Sequence, residues 1–231
     1  MCGRFAFHSP RETVLRIFDV DLPSTVAPRY NIAPTQDVLA IRSSPEGVSE
    51  PVMLRWGLVP FWAKDPAIGN RMINARAETV SQKPAFRAAF LRRRCIVLAD
   101  GFYEWRRSDC GKTPFYISNT NGDPFAMAGL WEHWEADGAS LESCAIITTS
   151  ANNLLAEIHD RMPVILSPED AAHWLRAGDQ HVQGLVELLA PCPDDLLHCH
   201  EVSRAVNNPR NEGAELIEAR GKRPSTKTAG H

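Results

Sequence analysis

Short apolar runs rich in β-branched and aromatic residues recur along the chain, cut by turn residues, and they predict strands more often than helices. Strands are expected over residues 37–42, 52–56, 94–99, 102–106, 114–118, 125–134 and 143–149, with turn signals at Asp100-Gly101 and Asn121-Gly122. Residues 30–34 read as a short extended piece, and residues 198–202 and 215–217 as late strands. Helical periodicity is confined to short stretches. Ser9 is placed to cap a helix, with Pro10 at its first position and Glu12 completing a capping box, followed by an apolar face of Val14, Leu15, Ile17 and Phe18. Residues 85–93 form a second helical stretch, with basic residues in the last turn, where the helix dipole favours them. Further helices are expected over 152–158, from Ser167-Pro168-Glu169-Asp170 to Arg176, and over 180–189, with an irregular piece over 159–163.

Many strands with few intervening helices argue against βαβ units and a parallel sheet. The expected fold is a single α+β domain over residues 1–220, with a curved, largely antiparallel β core and helices packed outside it. From Gly221 to His231 the sequence is polar and lacks an apolar pattern, which predicts a disordered C-terminal tail.

Composition narrows the function. The net charge of -3 excludes a generically basic nucleic-acid binder, so any such site must be a local patch. The 20 Arg against 5 Lys suit bidentate phosphate contacts, although codon bias gives the same skew. No apolar run is long enough to span a bilayer and the N-terminus lacks a signal-peptide layout, so a cytoplasmic location with reduced thiols is expected. The six cysteines include no Cys-x-x-Cys pair. Cys192, His198, Cys199 and His200 lie close in sequence, but His198 and His200 alternate around Cys199, so the three cannot share one strand face, and no metal is assigned there.

Five segments carry candidate chemistry. Cys2 follows the initiator methionine, and loss of Met1 would leave an α-amine beside its own thiol, a 1,2-aminothiol that can condense with an aldehyde and close a thiazolidine. The amine's ordinary pKa is about 7.7–8 and the thiol's about 8.5, so both are partly nucleophilic near neutral pH; a small buried hydrophobe is the competing role. In Asn74-Ala75-Arg76-Ala77-Glu78-Thr79, alternation puts Asn74, Arg76 and Glu78 on one face, which a solvated strand also explains. Glu104 lies among aromatics in Asp100-Gly101-Phe102-Tyr103-Glu104-Trp105, where a carboxylate tends toward a raised pKa unless it reaches solvent or an Arg. His159 sits at an element junction and suits proton transfer, with a purely structural histidine as the competing role, and Arg161 two residues on could serve a phosphate. In the loop Trp56-Gly57-Leu58-Val59-Pro60-Phe61-Trp62, Trp56 reads as core and Trp62 as a stacking surface for bases.

Together with Met1-Cys2-Gly3-Arg4-Phe5 and Val202-Ser203-Arg204-Ala205-Val206-Asn207, these motifs resemble the SRAP domain, the SOS response-associated peptidases viewed as sensors that crosslink to abasic sites in single-stranded DNA. The likeness runs from Met1 to about Ile217, six motifs in order, and implies an α+β domain around a curved, barrel-like β core. It implies Cys2 as the nucleophile exposed by autoproteolytic loss of Met1, Glu104 and His159 as the acid/base pair, and Asn74 as the group holding the N-terminus. It also implies Arg4, Arg76 and Arg161 as phosphate ligands and Trp62 as the base-parting residue. No cofactor or metal is expected. The implied partner is single-stranded DNA with abasic sites, met by a monomer that is nucleoid-associated when bound. The alternatives are an N-terminal-nucleophile cysteine amidohydrolase and a single-strand binder without covalent chemistry. The residues alone leave open whether an aminopeptidase removes Met1.

Overall fold

The structure, a computed structural model, describes residues 2–44, 46–109, 111–176 and 182–221. Its core is a five-strand barrel. Strands β3 (Asp37–Ser43), β4 (Ser49–Trp56), β6 (Arg94–Ala99), β9 (Phe125–Ala136) and β10 (Ala139–Ser150) follow the order β10-β4-β3-β6-β9, and β9 pairs back onto β10. All these pairings are antiparallel except the closing one, where β10 runs parallel to β4 through Ser143–Arg55 and Cys144–Trp56. The expected α+β domain with a barrel-like, largely antiparallel core is what forms.

Every residue of β6 is buried, as are the first six of β9. Such continuous burial is the reason these runs show no alternation: they are covered on both faces. Outside the barrel, α4 (Pro168–Leu175) lays Trp174 on β6, with its indole N–H donating to the Cys95 carbonyl at 3.0 Å. Phe90 of α2 (Arg87–Arg92) meets Trp174 edge-on at 5.8 Å.

A second, antiparallel sheet carries the site. It has the order β13-β8-β7-β1-β2, from β1 (Phe5–Phe7), β2 (Arg29–Ile32), β7 (Gly101–Ser108), β8 (Gly111–Asn119) and β13 (Leu197–Glu201). The chain passes from the barrel into this sheet at Asp100-Gly101, so this pair of residues is a junction between sheets and not a hairpin turn. A Cβ on Gly101 would collide with the Tyr116 ring, so only glycine lets β7 and β8 close there. A two-residue hairpin turn is instead found at Asp137-Gly138, joining β9 to β10 with positive φ at both residues (51° and 76°), the conformation that matches strand twist.

Several local expectations are corrected. Helix α1 spans Arg11–Phe18 with Pro10 at its cap and no side-chain cap bond, because Ser9 is taken by Asp100: the Ser9 backbone N–H donates to Asp100 Oδ2 at 2.8 Å and its hydroxyl bonds Oδ1. Only Val14 of the expected apolar face is buried. The irregular piece after His159 holds a short strand, β11 (Arg161–Pro163), paired with β10. Residues 215–217 fall in a 3₁₀ turn, Ala214–Ile217, not a strand. Gln180 lies outside the described residues, and the helix there is Val182–Glu187. The expected tail also lies outside them beyond Gly221. No described helix is long and apolar enough to cross a membrane.

Candidate active site

Strand β1 brings Cys2 to the centre of the molecule. It pairs with β7 through Phe5–Phe102 and Ala6–Gly101, and the Tyr103 N–H donates to the Arg4 carbonyl at 2.9 Å. Carried one step further, this register sets Glu104 opposite Gly3, one residue from Cys2. Cys2 is fully buried. Its thiol is pushed up from the ordinary range, first by burial and then by the charge of Glu104.

Asn74 reaches Cys2 from the barrel side. It opens β5 (Asn74–Arg76), a short strand parallel to β10, and its carboxamide N–H donates to the Cys2 carbonyl at 2.8 Å. Glu104 is 3% exposed and lines a cleft of about 370 Å³ together with His159, Trp105, Asn207, Arg107 and Lys112. His159 follows α3 (Asn153–Ala156) and lies two residues before β11. Its Nδ1 accepts the Arg161 backbone N–H at 3.0 Å and lies 2.9 Å from an Asp160 carboxylate oxygen. The N–H can only donate, so the neutral ring accepts at Nδ1 and carries its proton on Nε2. The imidazolium would instead turn Nδ1–H toward Asp160. Either way Nδ1 is engaged by its own loop, which fixes the ring's orientation at the cleft.

The structure thus brings Cys2 beside Asn74 and Glu104, and sets His159 in the cleft that Glu104 lines. The four expected nucleic-acid residues divide. Trp62 is 49% exposed and Arg76 is exposed, while Trp56 is fully buried as expected, its indole N–H on the Ile73 carbonyl at 2.9 Å. Arg4 donates from Nη1 to Asn31 Oδ1 at 2.7 Å and to the Val206 carbonyl at 2.9 Å. Arg161 is in a two-pronged ion pair with Glu78 and also holds the Thr148 carbonyl. Among the described residues, no group of three or more His, Cys, Asp or Glu is placed to hold a metal ion.

Three features were not read from the sequence. Arg107 and Lys112 face each other across the β7–β8 pair and add positive charge to the cleft. Asn207 comes from a 3₁₀ turn, Arg204–Asn207, and accepts the Trp105 indole N–H at 2.8 Å. Asn31, 1% exposed, fixes that segment: its amide donates to the carbonyls of Asn208 (3.0 Å) and Asn211 (2.8 Å) while its oxygen accepts from Arg4. The only sequence signal for Asn31 was a polar residue in the short extended piece between Pro28 and Pro34. Asn31→Ala would leave Arg4 and these carbonyls short of partners. A loss of about 2–3 kcal/mol is expected from orphaning such buried groups, read as a fall in thermal midpoint of roughly 5–10 °C for a domain of this size.

The family described as SOS response associated peptidase (SRAP) matches residues 1–209. The abasic site processing protein YoqW of Bacillus subtilis is 45% identical over 225 residues, covering 95% of this chain and 100% of the relative. The abasic site processing protein YedK of Escherichia coli is 36% identical over 226 residues, covering 94% and 99%. A crystal structure of a protein from Bacteroides thetaiotaomicron superposes with a TM-score of 0.85 at 26% identity, over 94% of this chain and 99% of that one. On this match across nearly the whole chain, at identities well above chance, the protein belongs to the SRAP family.

Proposed function

We propose that the protein recognises abasic sites in single-stranded DNA and crosslinks to them through Cys2, forming a thiazolidine that shields the lesion. The observation that carries this reading is the setting of Cys2: its carbonyl is held by Asn74 at 2.8 Å and its thiol lies in the field of Glu104. The names of the relatives YoqW and YedK, abasic site processing proteins, supply the substrate class.

The nitrogen of Cys2 is bonded to Met1 in the encoded chain, so chemistry at the α-amine begins with loss of Met1. The word peptidase in the family's description is assigned here to that step alone, as self-removal of one residue. An abasic deoxyribose equilibrates between a closed ring and an open aldehyde. His159, assisted by Glu104, moves the proton that opens the ring. The free amine attacks C1′, and Glu104 protonates the departing hydroxyl, so that water leaves and an imine forms. The thiol sulfur then adds to C1′ while its proton passes to the nitrogen, closing the ring. A Schiff base alone permits β-elimination and strand cleavage, so closure is the protective step. Each proton-transfer assist is worth about 10²–10⁴-fold, and holding amine and aldehyde together supplies much of the rest.

Incubation with an abasic-site oligonucleotide followed by a denaturing gel tests this directly. A stable protein–DNA band is expected. Its absence, with retained non-covalent binding, would leave a plain single-strand binder. Amide hydrolysis without a band would favour the N-terminal-nucleophile amidohydrolase.

Single-strand binding rests on few phosphates, because the net charge is -3 and cations are local. Arg76 is exposed beside the site. Arg76→Ala should therefore flatten the slope of log K against log salt by about 0.7, the value for one single-strand phosphate contact. An unchanged slope would remove Arg76 from the phosphate ligands.

A further inference from the structure

A groove of about 660 Å³ lies outside the cleft, between the loop bearing Trp62 and helix α2. Two large apolar side chains stand open in it, Phe61 at 56% and Leu91 at 43% exposure. Arg87 and Arg92 of α2 line it and are at least partly exposed. Among its described lining residues the one carboxylate is Glu132, which is 2% exposed and held by Arg93 at 2.8 Å through both Nε and Nη2. Its charge is therefore spent inside the protein. His133, also lining the groove, lies 3.7 Å from Glu135. What faces solvent is a flat aromatic ring beside guanidinium groups that have no carboxylate partner among the described residues, in a protein whose net charge is -3.

This groove adjoins the candidate nucleic-acid surface. Phe61 is the chain neighbour of Trp62, and the groove residue Ser81 follows Arg76 by five positions in the turns after β5. A base has a π-face that stacks on an aromatic ring regardless of sequence, and a planar guanidinium takes two phosphate oxygens. An exposed ring flanked by arginines fits both halves of a nucleotide. An apolar peptide would leave the arginines unmatched.

We propose that this groove is a second nucleic-acid site, which holds a base on Phe61 and the adjoining phosphates on Arg87 and Arg92, several nucleotides away from the lesion. The proposal rests on the single-strand reading above. It makes the binding footprint longer than the reactive cleft and gives the protein a grip on undamaged strand flanking the lesion.

The test compares the parent with a Phe61→Ala/Arg92→Ala double variant on undamaged oligothymidylates of about 5 and about 15 nucleotides, near the short and long ends of the usual single-strand site. Both side chains are exposed, and a matching thermal midpoint verifies that the variant is folded. The parent should bind the longer strand more tightly. The variant should lose about tenfold on the longer strand, the scale of one stacked base, and nothing on the shorter one. Crosslink yield on a short abasic strand should be the same for both proteins. Equal affinity of parent and variant for the longer strand would overturn the second site. So would an equal loss on both lengths, or displacement by an acidic apolar peptide with no response to strand length. Failure of the parent to crosslink the short abasic strand would strike the covalent function instead, and is read on a separate lane.

Discussion

Cys2→Ala should abolish the heat-stable adduct with abasic-site DNA while leaving non-covalent binding to single strands close to that of the parent. The argument is chemical. A thiazolidine needs a thiol and an amine on adjacent carbons, and only an N-terminal cysteine offers both. The other described cysteines cannot substitute. Cys95 and Cys144 are buried in the barrel, with thiols pushed up by burial, and neither they nor Cys192 and Cys199 adjoin a free amine. The substitution should be tolerated structurally, because Cys2 behaves as a small buried apolar group and its loss removes one sulfur, costing on the order of 1 kcal/mol. Cys2→Ser is the sharper companion. It keeps the amine, so an imine can form, but the hydroxyl closes the ring poorly. The expected product is a labile adduct that borohydride traps and heat otherwise destroys. A Cys2→Ala chain that still gives a stable band would place the nucleophile elsewhere and overturn the proposed chemistry.

Legibility in the sequence followed the range of the interactions. Strand β6 was read at its observed bounds, Arg94–Ala99, because a continuous apolar run between a basic helix end and Asp100-Gly101 is a local signal. The closing of the barrel was not legible. It depends on a two-residue parallel contact between β4 and β10, separated by nearly ninety positions, and no local pattern encodes it. Ser9 shows the same limit on a smaller scale. Its capping pattern was correct in form, yet Asp100, brought near by the β1–β7 pairing, outcompetes the helix for its hydroxyl. At the site, the order of motifs was legible but their convergence was not: Asn74, Glu104 and His159 come from three different elements. Arg161 is the instructive case. A guanidinium fork takes a carboxylate or a phosphate by the same geometry, so the sequence could suggest an anion partner without revealing that Glu78 sits there. For phosphate to reach Arg161, Glu78 would have to yield. Glu78 is half exposed, its carboxyl held below the usual range chiefly by its hydrogen bonds to Arg161.

Glu104→Gln should move two readouts in opposite directions, which is what separates a proton-transfer role from a structural one. The first readout is thiol reactivity. The Cys2 thiol is raised by burial and further by the charge of Glu104. A like charge disfavours the thiolate, so removing it lowers the thiol's pKa toward its ordinary range. Alkylation of Cys2, followed by peptide mass, should therefore begin at lower pH in the variant than in the parent. The second readout is crosslinking. Glutamine keeps the size of the side chain but cannot shuttle a proton, so the rate should fall by about 10²–10⁴-fold, the worth of a positioned acid/base. The pH profile carries the same logic. The amine must be unprotonated, so the rate rises through its ordinary pKa of about 7.7–8. His159→Ala should slow the reaction on a closed-ring abasic site and matter less on a strand bearing a preformed open-chain aldehyde, because ring opening is the step assigned to it. A more readily alkylated thiol together with a slower crosslink, in a variant with the parent's thermal midpoint, is the combination that lost proton transfer produces. A Glu104→Gln variant with the parent's rate and profile would reduce Glu104 to a packing residue at the β1–β7 seam.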